Sequence, residues 1–168
     1  LSDWRAAGAT ITPFSPLAND PVPDADFVFL PGGYPELHAG LLAHNTVFLQ
    51  SLRATATSTP IYGECGGYMV LGETLTDAAG VIHPMAGLLA LKTSFAARQR
   101  HLGYRRLMAA SGPFEGHWSA HEFHYATTTQ AKGTPLFHAA DATGTVLPDM
   151  GLINAHVSGS FAHIIDRA

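Results

Sequence analysis

The sequence predicts an α/β fold in which a mostly parallel, doubly wound sheet is flanked by helices. Residues 27–30 are a continuous apolar run, which is typical of a buried strand in a parallel sheet. A glycine turn at residues 31–33 ends this run, and a helical spacing of apolar side chains follows over residues 36–54. Residues 59–62 are the next predicted strand, and it ends at a second glycine turn, residues 63–67. Strand, glycine turn and helix, recurring in this order, indicate a doubly wound sheet.

The other predicted elements are shorter. Residues 1–7 have the pattern of a helix end, residues 8–14 resemble a strand, and the Pro- and Asp-rich residues 19–26 indicate a loop. In the second half of the chain a more antiparallel section is expected, with strands at residues 87–93, 103–108 and 119–128. Because doubly wound sheets bind ligands beyond the carboxyl ends of their strands, the two glycine turns are expected to face one crevice.

Length and composition limit the classes of function. A chain of 168 residues, 46% hydrophobic and 13% charged, is expected to form one domain over residues 1–168. Its net charge of −4 argues against a nucleic-acid or membrane-surface partner. A single cysteine forms no internal disulfide, which fits a reducing cytoplasm. The first residue is Leu1 rather than methionine, so we expect the chain to be part of a longer protein.

Cys65 lies between the predicted strand at residues 59–62 and an apolar, helix-compatible run. Its neighbours Gly63, Gly66 and Gly67 are what a nucleophile elbow requires, because side chains at these positions would clash in so tight a turn. This pattern favours Cys65 as a nucleophile. The alternative is a buried structural cysteine, which is the commoner role of a lone cysteine.

A thiol nucleophile needs a base, and the chain has ten histidines. Two segments are the better candidates. One is the alternating run of residues 121–125, in which His121 and Glu122 are expected on opposite faces of a strand. The other is a turn of small residues that ends at His163. A nucleophile and a base far apart in sequence are compatible with adjacency in the fold.

Zinc binding is the competing use of the histidines, because His117, His121 and His124 are closely spaced. There is no second cysteine, however, and strand alternation puts His121 and His124 on opposite faces, so we expect no metal site. The turn at residues 63–67 also lacks the following Lys and Ser or Thr of a phosphate-binding loop. We therefore expect no ATP chemistry and no cofactor in this chain.

Five blocks of sequence together resemble the glutaminase domain of the cobyrinic acid and hydrogenobyrinic acid a,c-diamide synthases. They occur in the order seen in that family and span almost the whole chain. The blocks are LPGGYPEL at residues 30–37, YGECGGYM at 62–69, GYR at 103–105, HEFHY at 121–125 and GSFAH at 159–163. Five blocks in register are far more specific than any single one.

This resemblance implies a class I glutamine amidotransferase fold of the flavodoxin-like, three-layer type. It implies a domain that hydrolyses L-glutamine and passes ammonia to an N-terminal synthetase domain of the same protein. That domain would use ATP and Mg²⁺ to amidate the a and c carboxylates of a corrin acid. The alternatives are the glutaminase domain of another corrinoid amide synthase, such as cobyric acid synthase, or a non-catalytic interaction module with this fold.

The resemblance also implies roles for individual residues. Cys65 would attack the side-chain amide of glutamine, and His163 would transfer the proton. The backbone N–H groups of Gly66 and Gly33 would receive the oxyanion. Further residues expected to bind or flank the substrate are Gly32, Tyr34 and Met69.

One departure from the broader class I amidotransferases concerns the base. Those proteins carry Pro-Glu after the histidine, and the glutamate orients the imidazole, whereas Ile164 and Ile165 follow His163 here. The corrin-type synthases share this absence. A Cys-His dyad, or another orienting group, is therefore expected, and Glu122 and His124 are candidates for a supporting role. Glu64 is expected to be structural or to form an interface.

Overall fold

The computed structural model describes residues 2–168. The α-helices are α1 Ser2–Ala6, α2 Ala39–His44, α3 Thr46–Thr55 and α4 Gly66–Leu71, and short 3₁₀ turns lie at Pro16–Ala18 and Pro35–Leu37. The strands are β1 Val28–Leu30, β2 Ile61–Glu64, β3 Thr74–Thr76, β4 Ile82–Pro84, β5 Ala90–Ser94, β6 His101–Ala109, β7 Gly116–His124, β8 Thr127–Lys132, β9 Phe137–Asp141, β10 Val146–Met150, β11 Leu152–Asn154, β12 Val157–Ser160 and β13 Ala162–Arg167. None of the helices in residues 2–168 has the length and hydropathy that a membrane crossing requires.

A central sheet carries the two glycine turns. Its strand order is β1-β2-β12-β11, in which β2 runs parallel to both β1 and β12, and β11 is antiparallel. Alternate residues of its strands enter different cores, as the period of two requires. Ile61 packs with the helix side of the molecule, whereas Tyr62 and Phe29 pack with the other face.

Two further sheets complete the fold. The larger is antiparallel, with the order β10-β9-β6-β7-β13, and its residues Leu107 and Phe137 share the second core with Tyr62. The smaller has the order β4-β3-β5-β8 and contributes Leu75 and Leu91 to the first core. The central sheet therefore lies between the main helices α3 and α4 on one face and the antiparallel sheet on the other.

The structure confirms an α/β fold, but its sheets are mixed, and a doubly wound, flavodoxin-like arrangement is not confirmed. Only β1-β2, β2-β12 and β3-β5 are parallel pairs among the paired strands of residues 2–168, and the other pairs are antiparallel. A doubly wound sheet has helices on both faces. Here the antiparallel sheet takes the place of one helix layer.

The local predictions differ in outcome. The strands predicted at residues 27–30 and 59–62 correspond to β1 and β2, and those at 103–108 and 119–128 fall in β6, β7 and β8. The strand predicted at residues 8–14 is wrong, because this segment has no strand. The helix predicted over residues 36–54 is divided at Asn45, whose ψ of 73° is not helical, into α2 and α3. Leu1 of the predicted helix end lies outside the described residues.

Close packing of glycines joins β2 and α4 to β1. A Cβ on Gly63 would lie 2.6 Å from Cδ1 of Leu71 and 2.7 Å from the carbonyl group of Gly67. A Cβ on Gly67 would overlap the carbonyl oxygen of Leu30, which is backbone and does not move aside. The Gly67 amide meanwhile donates to the carbonyl of Pro31 at 3.1 Å. Only glycine fits at these two positions.

We predict that Gly67→Ala lowers the free energy of unfolding by about 3 kcal/mol or more, because the new methyl group must push β1 and α4 apart. Gly40→Ala is the matched control, since its added Cβ would meet only the His83 ring at an ordinary 3.6 Å and alanine favours the helix. Urea unfolding of both variants measures the difference. A Gly67→Ala variant as stable as Gly40→Ala would contradict the packing described here.

Candidate active site

Cys65 occupies a strained turn between β2 and α4. Its φ of 51° and ψ of −101° put a non-glycine residue at positive φ, an arrangement that costs about 1–3 kcal/mol and persists where the surroundings enforce it. The Cys65 amide donates to the carbonyl of Ser160 on β12 at 2.8 Å, and its own carbonyl accepts from the Met69 amide at 3.2 Å. These bonds hold the turn from both sides. The geometry is that of the nucleophile elbow that the sequence predicts.

His163 on β13 meets Cys65 beside the first glycine turn. A Cβ on Gly32 would lie 3.1 Å from Cε1 of His163 and 3.6 Å from Cβ of Cys65, so both side chains border the same glycine. The Cys65 side chain is almost fully buried, and its Sγ lies 3.9 Å from the carbonyl oxygen of Phe123. The structure therefore brings together the two residues that the sequence singles out, although they are far apart in the chain.

Three groups surround the His163 ring. The neighbouring Cys65 and Glu64 side chains raise the pKa of His163 to about 10, although burial opposes the rise. The Glu64 contact joins His163 Nδ1 to Oε1 at 3.0 Å, which leaves Nε2 as the nitrogen that can exchange a proton with the thiol. The His121 ring stacks on His163 with centroids 4.7 Å apart and planes 11° apart. Burial and the neighbouring charge of His163 lower the pKa of His121, which favours its neutral form.

The two glycine turns also meet at this place. A Cβ on Gly66 would lie 2.7 Å from the amide nitrogen of Gly33, so the two backbones are in direct contact. Neither the Gly33 nor the Gly66 amide donates a backbone hydrogen bond within residues 2–168. Two N–H groups next to Cys65 are thus free for an acceptor.

The structure places the remaining substrate candidates differently. Tyr34 is 72% exposed and follows Gly33 directly, so its side chain is accessible to a ligand. Met69 is only 2% exposed and packs in the hydrophobic core, and a place beside the substrate stays a prediction. A cavity of about 330 Å³ borders Gly33 and Gly66 but not Cys65 or His163. Its other lining residues include Gly32, Tyr34 and apolar side chains such as Phe14 and Phe48.

Glu122 and His124 do not contact His163. The carboxylate of Glu122 accepts from Arg105 at 2.7 Å and 3.0 Å and from Nε2 of His124 at 2.8 Å. Nδ1 of His124 faces the carbonyl of Ala126 at 3.0 Å, and the ring stacks on Phe161. These residues form a buried polar network on the face of β7 opposite His121. The expected supporting role is therefore a structural one.

A group of potential metal ligands overlaps this network. His101, Glu122 and His124 offer ligand atoms within 4.8 Å of one another, whereas His117 and His121 of the histidine-rich segment are not part of the group. The guanidinium of Arg105 already binds the carboxylate of Glu122, and its positive charge would repel a metal cation at this place. This arrangement suits an ion-paired network better than a divalent metal.

The similarity to known proteins agrees with this site. Residues 4–167 match the model of the CobB/CobQ-like glutamine amidotransferase domain. The chain belongs to this family. The hydrogenobyrinate a,c-diamide synthase of Brucella abortus is 54% identical over 167 residues, which are 97% of this chain and 38% of that protein. The enzymes of the same name from Rhodobacter capsulatus and Rhizobium meliloti are each 51% identical, over 98% and 99% of this chain and 39% and 40% of theirs.

The family resemblance drawn from the five sequence blocks is thereby confirmed. The amidotransferase chain spans about two fifths of the length of these relatives. A crystal structure of a glutamine amidotransferase superposes with a TM-score of 0.54 and 13% identity, over 82% of this chain and 70% of that one. At this identity the likeness concerns the fold alone.

One functional feature escaped the reasoning from sequence. Glu64, and not Glu122, is the carboxylate that binds His163. The sequence feature that could have indicated this contact is the position of Glu64 at the end of a predicted strand, directly before the nucleophile. No pattern in the sequence indicates that a strand near the C-terminus brings His163 to it.

We predict that Glu122→Gln lowers the free energy of unfolding by about 1.5–3 kcal/mol at neutral pH, because it removes the ion pair with Arg105 and weakens the hydrogen bond with His124. Burial alone would raise the pKa of Glu122, but the bonds from His124 and Arg105 outweigh it and hold that pKa below its ordinary value of 4.5. The contribution is therefore complete above pH 4.5 and is lost as pH falls through the lower, folded-state pKa. Urea unfolding across this range measures it.

The exposed Glu115 provides the control, since Glu115→Gln alters the same type of side chain outside the network. Its stability should match that of the unmodified chain at each pH. If Glu122→Gln lost as much stability at acidic pH as at neutral pH, the loss would come from packing and not from the ion pairs.

Proposed function

We propose that this chain is the glutaminase domain of a hydrogenobyrinate a,c-diamide synthase. The observation that carries the proposal is the meeting of Cys65, at positive φ in the elbow, with His163 beside Gly32. In a member of the CobB/CobQ-like family, a thiol and an imidazole so placed are the groups that hydrolyse the amide of glutamine.

The reaction follows from the chemistry of this pair. The thiol proton passes to Nε2 of His163, and the thiolate of Cys65 forms a C–S bond with the side-chain carbonyl carbon of glutamine. The C–N bond then breaks, and the proton on His163 goes to the departing ammonia. Water, deprotonated by His163, hydrolyses the glutamyl thioester and releases glutamate. The raised pKa of His163, about 10, favours the protonated imidazole that gives its proton to the departing ammonia.

The amides of Gly33 and Gly66 are proposed as the oxyanion donors. They lie beside Cys65 without another backbone acceptor, and the contact of the two backbones keeps them in place. Because they are oriented before the substrate binds, little reorganisation is needed when the negative charge develops. Loss of one such donor typically reduces the rate about 100- to 1,000-fold.

The acceptor of the ammonia is proposed to be bound by the rest of a longer protein. The named relatives are about two and a half times as long as this chain, because the chain covers 38% to 40% of their length. The additional part would be an N-terminal synthetase domain that uses ATP and Mg²⁺ to activate the corrin carboxylates. The localisation expected for such an enzyme is cytoplasmic.

The face beside the thiol supports this arrangement. Leu102 and Tyr104 on β6 are 61% and 68% exposed, and Phe123 and Tyr125 are each 44% exposed. Leu102 pairs with Phe123 across the strands, and the Phe123 carbonyl lies against the sulfur of Cys65. An apolar face next to the place where ammonia is released is suited to close contact with the synthetase domain, which would keep water away from the site.

We predict that Cys65→Ser lowers the rate of glutamine-dependent amidation in the full-length enzyme by about 1,000-fold or more, because the nucleophile is lost. Amidation with free ammonia should continue at the unmodified rate, since it bypasses the thiol and serves as the internal control. Product formation with ATP and a corrin acid measures both. A serine variant that still used glutamine normally would eliminate Cys65 as the nucleophile.

We also predict that the isolated chain releases glutamate more slowly than the full-length enzyme supplied with ATP and a corrin acid. Its exposed apolar face lacks the contact proposed above, and a displacement of about 1 Å at the site lowers the rate on the order of 100-fold. Steady-state glutamate release compares the two. Equal rates would show that the domain is autonomous.

A further inference from the structure

We propose that Glu64 is the positioning residue for His163, and that it takes the place of the carboxylate that broader class I amidotransferases carry after the histidine. This inference rests on the proposed glutaminase function. The orienting group is then the residue immediately before the nucleophile. One turn supplies both the attacking thiol and the carboxylate that orients the imidazole of His163.

The contacts of Glu64 are specific. Oε1 lies 3.0 Å from Nδ1 of His163, and Oε2 accepts from the amide of Ile164 at 3.2 Å. The carboxylate therefore binds both the imidazole ring of His163 and the backbone of β13, the strand that carries this ring. Its side chain is only 14% exposed, so water competes little for these bonds.

The fold explains how a residue on β2 reaches one on β13. Glu64 pairs with Ser160 at the end of β12 in the central sheet. The chain then crosses to the antiparallel sheet, where His163 pairs with His121 on β7. Alternation along β2 directs Glu64 to the same side as Tyr62, the side that faces the antiparallel sheet. The Glu64 side chain thus bridges the two sheets at the point where the chain passes between them.

A carboxylate suits this position better than an amide. The Ile164 amide is a donor, and Nδ1 of His163 is a donor whenever Nε2 takes the thiol proton. Both partners therefore require acceptors, which the two oxygens of Glu64 provide. Glutamine at this position would have one acceptor oxygen and would present an NH₂ group to one of the two donors.

Few titratable side chains lie close to His163. Cys65 and Glu64 face it from the elbow, and both raise its pKa. The stacked His121 faces it from β7, and its own pKa is lowered, so it adds little positive charge. Glu122 is not a substitute, because its carboxylate is bound by Arg105 and His124 on the other face of β7. Glu64 is thus the negative side chain available to hold the imidazolium.

The test uses the full-length enzyme with ATP and a corrin acid, and compares Glu64→Gln, Glu64→Asp and a control, Asp149→Asn. Asp149 likewise binds Nδ1 of a histidine, His138, at 2.8 Å, but the pair is exposed and lies at the opposite edge of the antiparallel sheet. For Glu64→Gln we expect kcat for glutamine hydrolysis to fall on the order of 10- to 100-fold, with KM little changed, because a misaimed base slows chemistry rather than binding. Asp149→Asn should leave both constants unchanged.

The pH profile separates positioning from a structural effect. His163 must hold a proton to give it to ammonia, so activity falls as alkaline pH removes that proton. Without Glu64 the pKa of His163 is lower, and the alkaline limb of the profile should move towards neutral pH. Glu64→Asp keeps the negative charge on a shorter side chain. The alkaline limb of its profile should therefore move less than that of Glu64→Gln, and its kcat should lie between those of Glu64→Gln and the unmodified enzyme. The position of the limb does not depend on how much enzyme is folded.

Two results are distinguishable. If Glu64→Gln had an unchanged kcat and an unchanged alkaline limb, while Cys65→Ser was inactive with glutamine, the role of Glu64 would be overturned and the glutaminase function would stand. Glutamine-dependent activity in Cys65→Ser would instead overturn the function on which this inference rests.

Discussion

The close approach of the elbow glycines to the segment after β1 is the constraint on which the site depends. Gly67 lies against the Leu30 carbonyl, and Gly66 lies against the Gly33 amide, distances that no side chain would permit. This contact lets α4 begin directly after Cys65 and forces the cysteine to positive φ. It also keeps the two free amides beside the thiol. Backbone packing, rather than a set of side-chain contacts, therefore builds the half of the candidate site that carries the two free amides.

The other half comes from the crossing between the sheets. Phe161 lies between β12 and β13, where it packs edge-on against Tyr68 and stacks on His124. His124, together with its partners Glu122 and Arg105, packs against this crossing on the face of β7 opposite His121. His163 lies on the side of the thiol. The antiparallel sheet thus carries His163 to the thiol, and the sequence indicated this layer only as a more antiparallel section in the second half of the chain.

Particular residues show what the sequence predicts and what it does not. The apolar run of β1 and the glycines around Cys65 depend on local constraints, so their pattern is visible in the chain. The strands β9, β12 and β13 depend on pairing with distant segments, and short, largely exposed strands such as Val146–Met150 carry little periodic signal. Cys65 and His163 were identifiable by residue type and motif. The role of Glu64 required the register of β2 with β12, which no local pattern indicates.

The central claim is that Cys65 is the nucleophile that His163 activates for glutamine. Its most direct measurement is covalent labelling by an electrophilic diazoketone analogue of glutamine, located by mass spectrometry of peptides from the full-length enzyme. We predict one label, on Cys65, which excess glutamine prevents and which His163→Asn slows strongly. Labelling that glutamine does not prevent, that proceeds equally in His163→Asn, or that occurs on another residue would contradict it.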